Sequence, residues 1–311
     1  IVPCLSCTQR CMSFNDHSTL MEGDWGVSCM LNPFSNHRQS IRYLPTDAPK
    51  KVMVVGAGPA GLMAAQVAAE RGHTVSLYEK GPESRAGGQF LVAAYPPFKQ
   101  DITRAIRHYL YMCKKNGVAL HFNCEVTDEL IRAEKPDALI VATGATPACI
   151  SFPGMETANV AQANDVLTGK AILGNSAAVV GGGMVGVETA EFCQDYCSHV
   201  TVIEMLPEVA KDMYMTVRDN MLTRFKQEGI EVRTSAKVVR IDNGHLIAQQ
   251  NGAEVDLGCY DNIVLAVGSC PDQPFARVES LANEVYVIGD AKKARSALEA
   301  IYEGARVAMK I

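Results

Sequence analysis

The stretch KVMVVGAGPAGLMAAQVAAERG (Lys51–Gly72) decides how this chain folds. Val52–Val55 form an apolar run short enough for one buried strand. Gly56, Gly58 and Gly61 then follow in the spacing G-x-G-x-x-G. The first glycine makes a tight turn, the second lets a pyrophosphate approach the backbone, and the third lets the next helix pack against the strand. That helix is rich in Ala and stops at Gly72. Its N-terminus offers unpaired N–H groups and partial positive charge, which suit phosphate. TVSLYEK (Thr74–Lys80) reads as a second strand closing on Glu79, a carboxylate placed to accept hydrogen bonds from ribose hydroxyls.

Further along, residues 99–117 have the pattern of an amphipathic helix, with Arg104, Arg107, Lys114 and Lys115 on a solvent face. DALIVATG (Asp137–Gly144) reads as another buried strand. The whole pattern then recurs. SAAVVGGGMVGVETAEF (Ser176–Phe192) repeats strand, glycine turn and helix, with Gly181, Gly183 and Gly186 in the same spacing. HVTVIEM (His199–Met205) repeats the second strand, closing on Glu204, and DNIVLAVGSCPD (Asp261–Asp272) repeats DALIVATG. From Gly56 to Glu79 and from Gly181 to Glu204 the separation is the same 23 positions. A period of about 125 residues is a duplicated domain, not a solenoid repeat. EVYVIGDAKKARSALEAIYEGARVA (Glu284–Ala308) adds a strand, a Gly289–Asp290 pair and a helix too short to stand as a domain. These belong to the first domain, where Asp290 is placed near a flavin ribityl chain or caps the helix.

The expected fold class is α/β: two doubly wound Rossmann-like dinucleotide-binding domains, one inserted in the other, with an irregular N-terminal iron–sulfur segment. Expected boundaries are residues 1–48 for that segment and its linker, 49–149 plus 273–311 for an FAD domain, and 150–272 for an NAD(H) domain. The net charge of −5 argues against a nucleic-acid partner. The longest apolar runs are too short to span a bilayer. Eleven cysteines in an otherwise α/β chain point to a reducing cytoplasm and a metal site.

Four of those cysteines, Cys4, Cys7, Cys11 and Cys29, lie in the first 29 residues. Thiolates from one loop can wrap a single tetrahedral metal or a cubane cluster. Zinc is the alternative to iron–sulfur, but a zinc ribbon favours two C-x2-C knuckles and only one is present. Cys193 and Cys197, at i and i+4, read as buried helix residues rather than a redox dithiol. Cys113, Cys124, Cys149, Cys259 and Cys270 read as core, and His17 and His37 as solvated loop residues. Trp25 either covers the cluster or anchors its loop.

GAGPAG with Glu79, GGQF (Gly87–Phe90), ATG (Ala142–Gly144), GGGMVG with Glu204, and VIGDAKK (Val287–Lys293) resemble the two-dinucleotide-domain flavoprotein reductases, a group that includes thioredoxin reductase. PCLSCTQRC (Pro3–Cys11) followed by CMLNP (Cys29–Pro33) narrows the likeness. It resembles the C-terminal half of the 2,4-dienoyl-CoA reductase, enoate reductase and trimethylamine dehydrogenase family. The likeness covers essentially the whole chain. One departure is the 17 residues between Cys11 and Cys29, longer than the family's usual spacing.

The resemblance implies FAD held by Gly56, Gly58, Gly61, Glu79, Lys80, Gly88, Gln89, Thr143, Gly144, Gly289 and Asp290. It implies NADH held by Gly181, Gly183, Gly186, Glu204 and Gly268, and a 4Fe–4S cluster on Cys4, Cys7, Cys11 and Cys29. NADPH is disfavoured, because a 2′-phosphate beside Glu204 meets like charge and no Lys or Arg follows before Lys211. No side chain is expected to act as a catalytic acid or base. In the family an FMN-binding TIM barrel precedes the cluster and handles an unsaturated acid or enoyl- or dienoyl-CoA type of substrate. The chain opens at Ile1, not Met, and reads as a fragment lacking that barrel. The expected partners are therefore NADH and the barrel of the same polypeptide, with room for a homo-oligomer. Two rival readings are an electron-transfer subunit resembling the glutamate synthase small subunit and an ADP-binding scaffold of the trimethylamine dehydrogenase branch.

Overall fold

The structure is a computed structural model that describes residues 2–12, 28–35 and 44–311. Trp25, His17 and His37 lie outside the described residues. The chain divides into two compact units. The first comprises residues 1–94, 100–146 and 270–311, and the second residues 95–99 and 147–269.

In the first unit the chain runs through β1 (Lys51–Val55), α1 (Pro59–Glu70), β2 (Thr74–Tyr78), α2 (Ile102–Lys115), β3 (Ala119–His121) and β4 (Ala138–Val141). It then makes the second unit with β5 (Val160–Gln162), β6 (Ser176–Val180), α3 (Met184–Gln194), β7 (His199–Ile203), α4 (Met215–Glu228) and β8 (Glu231–Arg233). The strands β9 (Ala236–Asp242), β10 (His245–Gln250), β11 (Ala253–Cys259) and β12 (Asn262–Leu265) complete it. On returning, the chain adds β13 (Glu284–Val287) and α5 (Ala297–Lys310) to the first unit.

The first unit's sheet has the order β13-β4-β1-β2-β3 and is parallel throughout. The second unit's main sheet has the corresponding order β5-β12-β6-β7-β8, also parallel. In each, the glycine-bearing strand has its neighbours reached by crossovers on opposite sides, which opens a crevice at the strands' carboxyl ends. Val52–Val55 of β1 and all of β4 are buried, as parallel strands covered on both faces require. The α/β fold class with two Rossmann-like domains is therefore the observed one.

Small residues set the helix packing. A Cβ on Gly304 of α5 would lie 2.3 Å from the Ala60 carbonyl oxygen of α1, so glycine permits that close approach. Ser296 and Glu299 form a capping box that starts α5. On α2, Ile102, Ala105, Ile106, Tyr109 and Cys113 are buried and the four basic residues are exposed, as the period predicts. Beyond the repeat, β9, β10 and β11 form a separate antiparallel sheet in the second unit. Among the described residues no helix is long and apolar enough to cross a membrane.

Candidate functional site

In the first unit, three glycines after β1 meet three different requirements. Gly56 has φ +105°, and a Cβ there would lie 2.3 Å from the Ala142 carbonyl oxygen. Gly61 would place its Cβ 2.0 Å from the Gly56 carbonyl oxygen, so α1 packs directly on its own loop. Gly58 has nothing within 4 Å of the corresponding point. That open space lies at the start of α1, where Pro59 contributes no N–H, and a helix start of this kind favours an anion such as a pyrophosphate. Glu79 secures the loop: its Oε2 accepts from the Ala57 N–H at 2.9 Å and its Oε1 from the Gly81 N–H at 2.8 Å.

The remaining flavin candidates gather at the carboxyl ends of the same strands. Gly87 donates its N–H to the Ala57 carbonyl at 2.8 Å, which brings Gly88 beside Gly58. The Gln89 amide donates to the Ala145 carbonyl at 3.0 Å. Thr143 donates its hydroxyl to the Asp272 carbonyl, and Gly144 accepts from the Asp272 N–H at 2.9 Å. Lys80 is exposed and pairs with Asp272 at 3.5 Å, a contact worth little in solvent. After β13, Gly289 (φ +60°) packs against Ala60 and donates its N–H to Glu303 Oε2 at 2.8 Å. Asp290 Oδ1 accepts from the Arg295 N–H at 3.0 Å, and Ser296, not Asp290, caps α5. Burial pushes the Asp290 carboxyl up, against the opposing pull of Arg295.

The second unit repeats this frame. Gly181 has φ +107° and would place a Cβ 2.3 Å from the Ala266 carbonyl oxygen, and Gly186 would place one 1.8 Å from that of Gly181. Glu204 is buried, with Oε2 accepting from the Gly182 N–H at 2.6 Å and Oε1 from the Leu206 N–H at 2.7 Å. Gly268 (φ +102°) follows β12 in open space. Gly183 differs from Gly58, because a Cβ on it would lie 3.5 Å from Asp212 Oδ2.

The cysteine segment packs on the first unit. Met30 and Leu31 are buried in its core, the Tyr109 hydroxyl donates to the Leu31 carbonyl at 2.7 Å, and Tyr302 donates to that of Cys29 at 3.1 Å. Arg10 Nε donates to Ser28 Oγ at 2.8 Å, tying the arm with Cys4, Cys7 and Cys11 to the residue before Cys29. The Ser6 N–H donates to Cys4 Sγ at 3.3 Å. Burial pushes the Cys7 thiol up, with Cys29, Cys11 and Cys4 close enough to add to the effect. Among the described residues no three side chains converge as the ligands of one metal ion. Soft thiolates of this kind suit zinc and iron–sulfur alike.

The sequence matches the pyridine nucleotide-disulphide oxidoreductase family over residues 50–304. The chain belongs to that family. It is 33% identical to the bilirubin reductase of Mediterraneibacter gnavus over 303 residues, 97% of this chain and 46% of the relative. It is 35% identical to the NADH oxidase of Thermoanaerobacter brockii over 317 residues, 99% of this chain and 47% of the relative. A 2-naphthoyl-CoA reductase, solved in complex with 2-naphthoyl-CoA, superposes with a TM-score of 0.89 at 31% identity, over 99% of this chain and 46% of that one. The chain thus spans about half the length of the relatives it matches. As a pyridine nucleotide-disulphide oxidoreductase it is a flavin- and NAD(P)H-dependent electron-transfer portion, with two frames built for dinucleotides.

Several paired acids of this oxidoreductase are not evident from motif spacing. Glu188 and Glu191 are buried on α3, paired with Lys99 and Arg224. Burial raises the Glu188 carboxyl, with Lys99 opposing it. Two acids three apart in an apolar helix were the available signal. Glu303, which holds the Gly289 N–H and pairs with Arg295, gave none. Cys193 and Cys197 are buried, and burial pushes Cys193 to about 12, which makes them packing residues rather than a reactive dithiol. Cys113 is core, but Cys149, Cys259 and Cys270 are exposed, contrary to expectation. Cys259 ends β11 in the separate sheet, and Cys149 and Cys270 lie where the chain passes between units, so none has a covering layer.

Proposed function

We propose that this chain takes hydride from NADH onto FAD and passes single electrons to a 4Fe–4S cluster, and from there to FMN in an N-terminal barrel of a longer polypeptide. The observation that carries the reading is the pair of complete dinucleotide frames, together with a cysteine segment whose Cys7 and Cys29 pack against the core of the first unit. The flavin supplies the conversion between two-electron and one-electron transfer. The protein's part is placement. Gly56, Gly58 and Gly61 seat a pyrophosphate at α1, and Glu79 fixes the loop and keeps lone pairs that can accept from a ribose. Asp290, Gln89 and Thr143 line the carboxyl ends of the same sheet.

In the second unit Gly181, Gly183, Gly186 and Glu204 hold the nicotinamide nucleotide. Met205 and Leu206 follow Glu204, and the next cations, Lys211 and Arg218, both pair with Glu208. That arrangement supports NADH over NADPH. Cys4, Cys7, Cys11 and Cys29 supply the cluster thiolates. The relatives' names support an unsaturated acid or acyl-CoA type of substrate at the barrel. Eleven free thiols suit a reducing cytoplasm.

The test is an absorption spectrum of the purified protein with iron and flavin analysis, before and after anaerobic NADH. Bleaching of the flavin band together with an iron–sulfur EPR signal is expected. Flavin that stays oxidised under NADH refutes the reading.

A further inference from the structure

The two dinucleotide frames superimpose residue on residue in their hydrogen bonding until one point, where they part. Ala57 and Gly182 each donate an N–H to the strand-end glutamate. The carbonyl of Ala57 accepts from Gly87, and that of Gly182 accepts from Ala210 at 2.7 Å. Two positions further, the first unit has Gln89 and the second has Asp212. Gln89 donates its amide to the Ala145 carbonyl, and the first helix begins at Pro59, which has no N–H to offer. Asp212 does the reverse. Both its carboxylate oxygens accept from the N–H of Met184, the first residue of α3, at 2.9 Å. Its Oδ2 also takes the space over Gly183 that stays open over Gly58.

We infer that Asp212 is the residue that sets nucleotide affinity in the second unit, a resident carboxylate standing where a dinucleotide pyrophosphate must sit. The inference rests on the assignment of this unit to a nicotinamide nucleotide. A carboxylate at a helix N-terminus is held by the same partial charge that attracts phosphate. A pyrophosphate must therefore displace Asp212 and then tolerate a like charge beside it. When the nucleotide leaves, Asp212 recaps α3, which lowers the barrier to release. The site trades binding strength for exchange, as a carrier that must shed oxidised nucleotide at every turnover needs.

The test is calorimetric titration of the FAD-loaded full chain with ADP-ribose and, separately, with adenosine, comparing wild type with Asp212→Asn and Asp212→Ala. Asp212 is exposed, so both variants fold. Both bind ADP-ribose roughly two- to fivefold more tightly, the change expected from one charge at an exposed helix end. Adenosine, which carries no phosphate, binds as it does to wild type. Unchanged or weaker ADP-ribose binding by the variants overturns the role of Asp212 and leaves the nucleotide assignment standing. Equal shifts for both ligands also overturn it, because they report a general change in the loop. Absence of ADP-ribose binding by all three proteins defeats the nucleotide assignment itself.

Discussion

Gly58 and Gly61 are three residues apart in one motif, yet the structure gives them opposite reasons for being glycine, and paired alanine substitutions separate the two. Gly61→Ala drives a Cβ to 2.0 Å from the Gly56 carbonyl oxygen, where ordinary contact requires more than 3 Å. The obstacle is backbone on both sides, so α1 must move off its loop. Overpacking of this kind costs about 3 kcal/mol. For a unit of this size that lowers Tm by roughly 6–12 °C. Gly58→Ala meets nothing within 4 Å, and the backbone there, at φ −72° and ψ 177°, suits any residue. Its stability cost is that of a poorer N-cap, about 1 kcal/mol or less. Its methyl group nevertheless fills the pyrophosphate cradle. Losing one charge-assisted backbone hydrogen bond there costs about 1.5–3 kcal/mol, a roughly 10- to 150-fold weaker hold on FAD. Thermal melts of the apoprotein and FAD titration of each variant read the two effects. Gly58→Ala should melt near wild type and lose flavin. If it instead keeps wild-type FAD affinity, the pyrophosphate does not sit over Gly58, and the geometric reasoning for the first unit fails.

Three other outcomes are expected. Glu204→Ser combined with Met205→Arg should shift the NADH/NADPH preference in dye reduction toward NADPH, since it removes the carboxylate and adds a cation. It should also cost about 1–3 kcal/mol, because the Gly182 and Leu206 N–H groups lose their acceptor; unchanged selectivity counts against Glu204. Cys7→Ser should abolish an iron–sulfur EPR signal while leaving flavin absorbance, and a persisting signal removes Cys7 from the ligand set. His73 is buried with Nδ1 accepting from the Lys50 N–H at 3.1 Å, and burial with the nearby Arg71 and Lys50 charges lowers its folded pKa below the ordinary 6.5. The unfolded chain therefore takes up the proton first: the stability tied to neutral His73 is present above about pH 6.5 and is lost as pH falls through the lowered folded value. Melts between pH 8 and pH 5 should show this loss in wild type and a flatter profile in His73→Gln; parallel profiles refute it.

The duplicated frame was legible because each of its requirements is local. A turn at Gly56, a helix packed on Gly61 and an acid at the end of β2 all show within 24 residues. The return of β13 and α5 to the first unit followed from their being too short to bury a core of their own. What spacing could not show was made by contacts across the chain. Asp212 reaches Met184 over 28 positions, and Glu303 reaches Gly289 from the far side of a turn. The sheet of β9, β10 and β11 escaped notice because it is small and partly exposed, so its strands lack the long apolar runs that mark the parallel strands. The spacing also gave no sign of the contacts of segment 95–99, where Lys99 finds the buried Glu188 and Phe98 lies under the Arg224 guanidinium at 5.3 Å.

The nesting of one unit in the sequence of the other has a consequence for biosynthesis. β13 pairs with β4 in register, Val287 opposite Val141, and α5 covers α1. A ribosome therefore releases the whole second unit before it supplies the strand that borders β4. During that interval the exposed edge of β4 is open to wrong partners. The first unit's sheet is accordingly completed only late in synthesis, when β13 and α5 arrive.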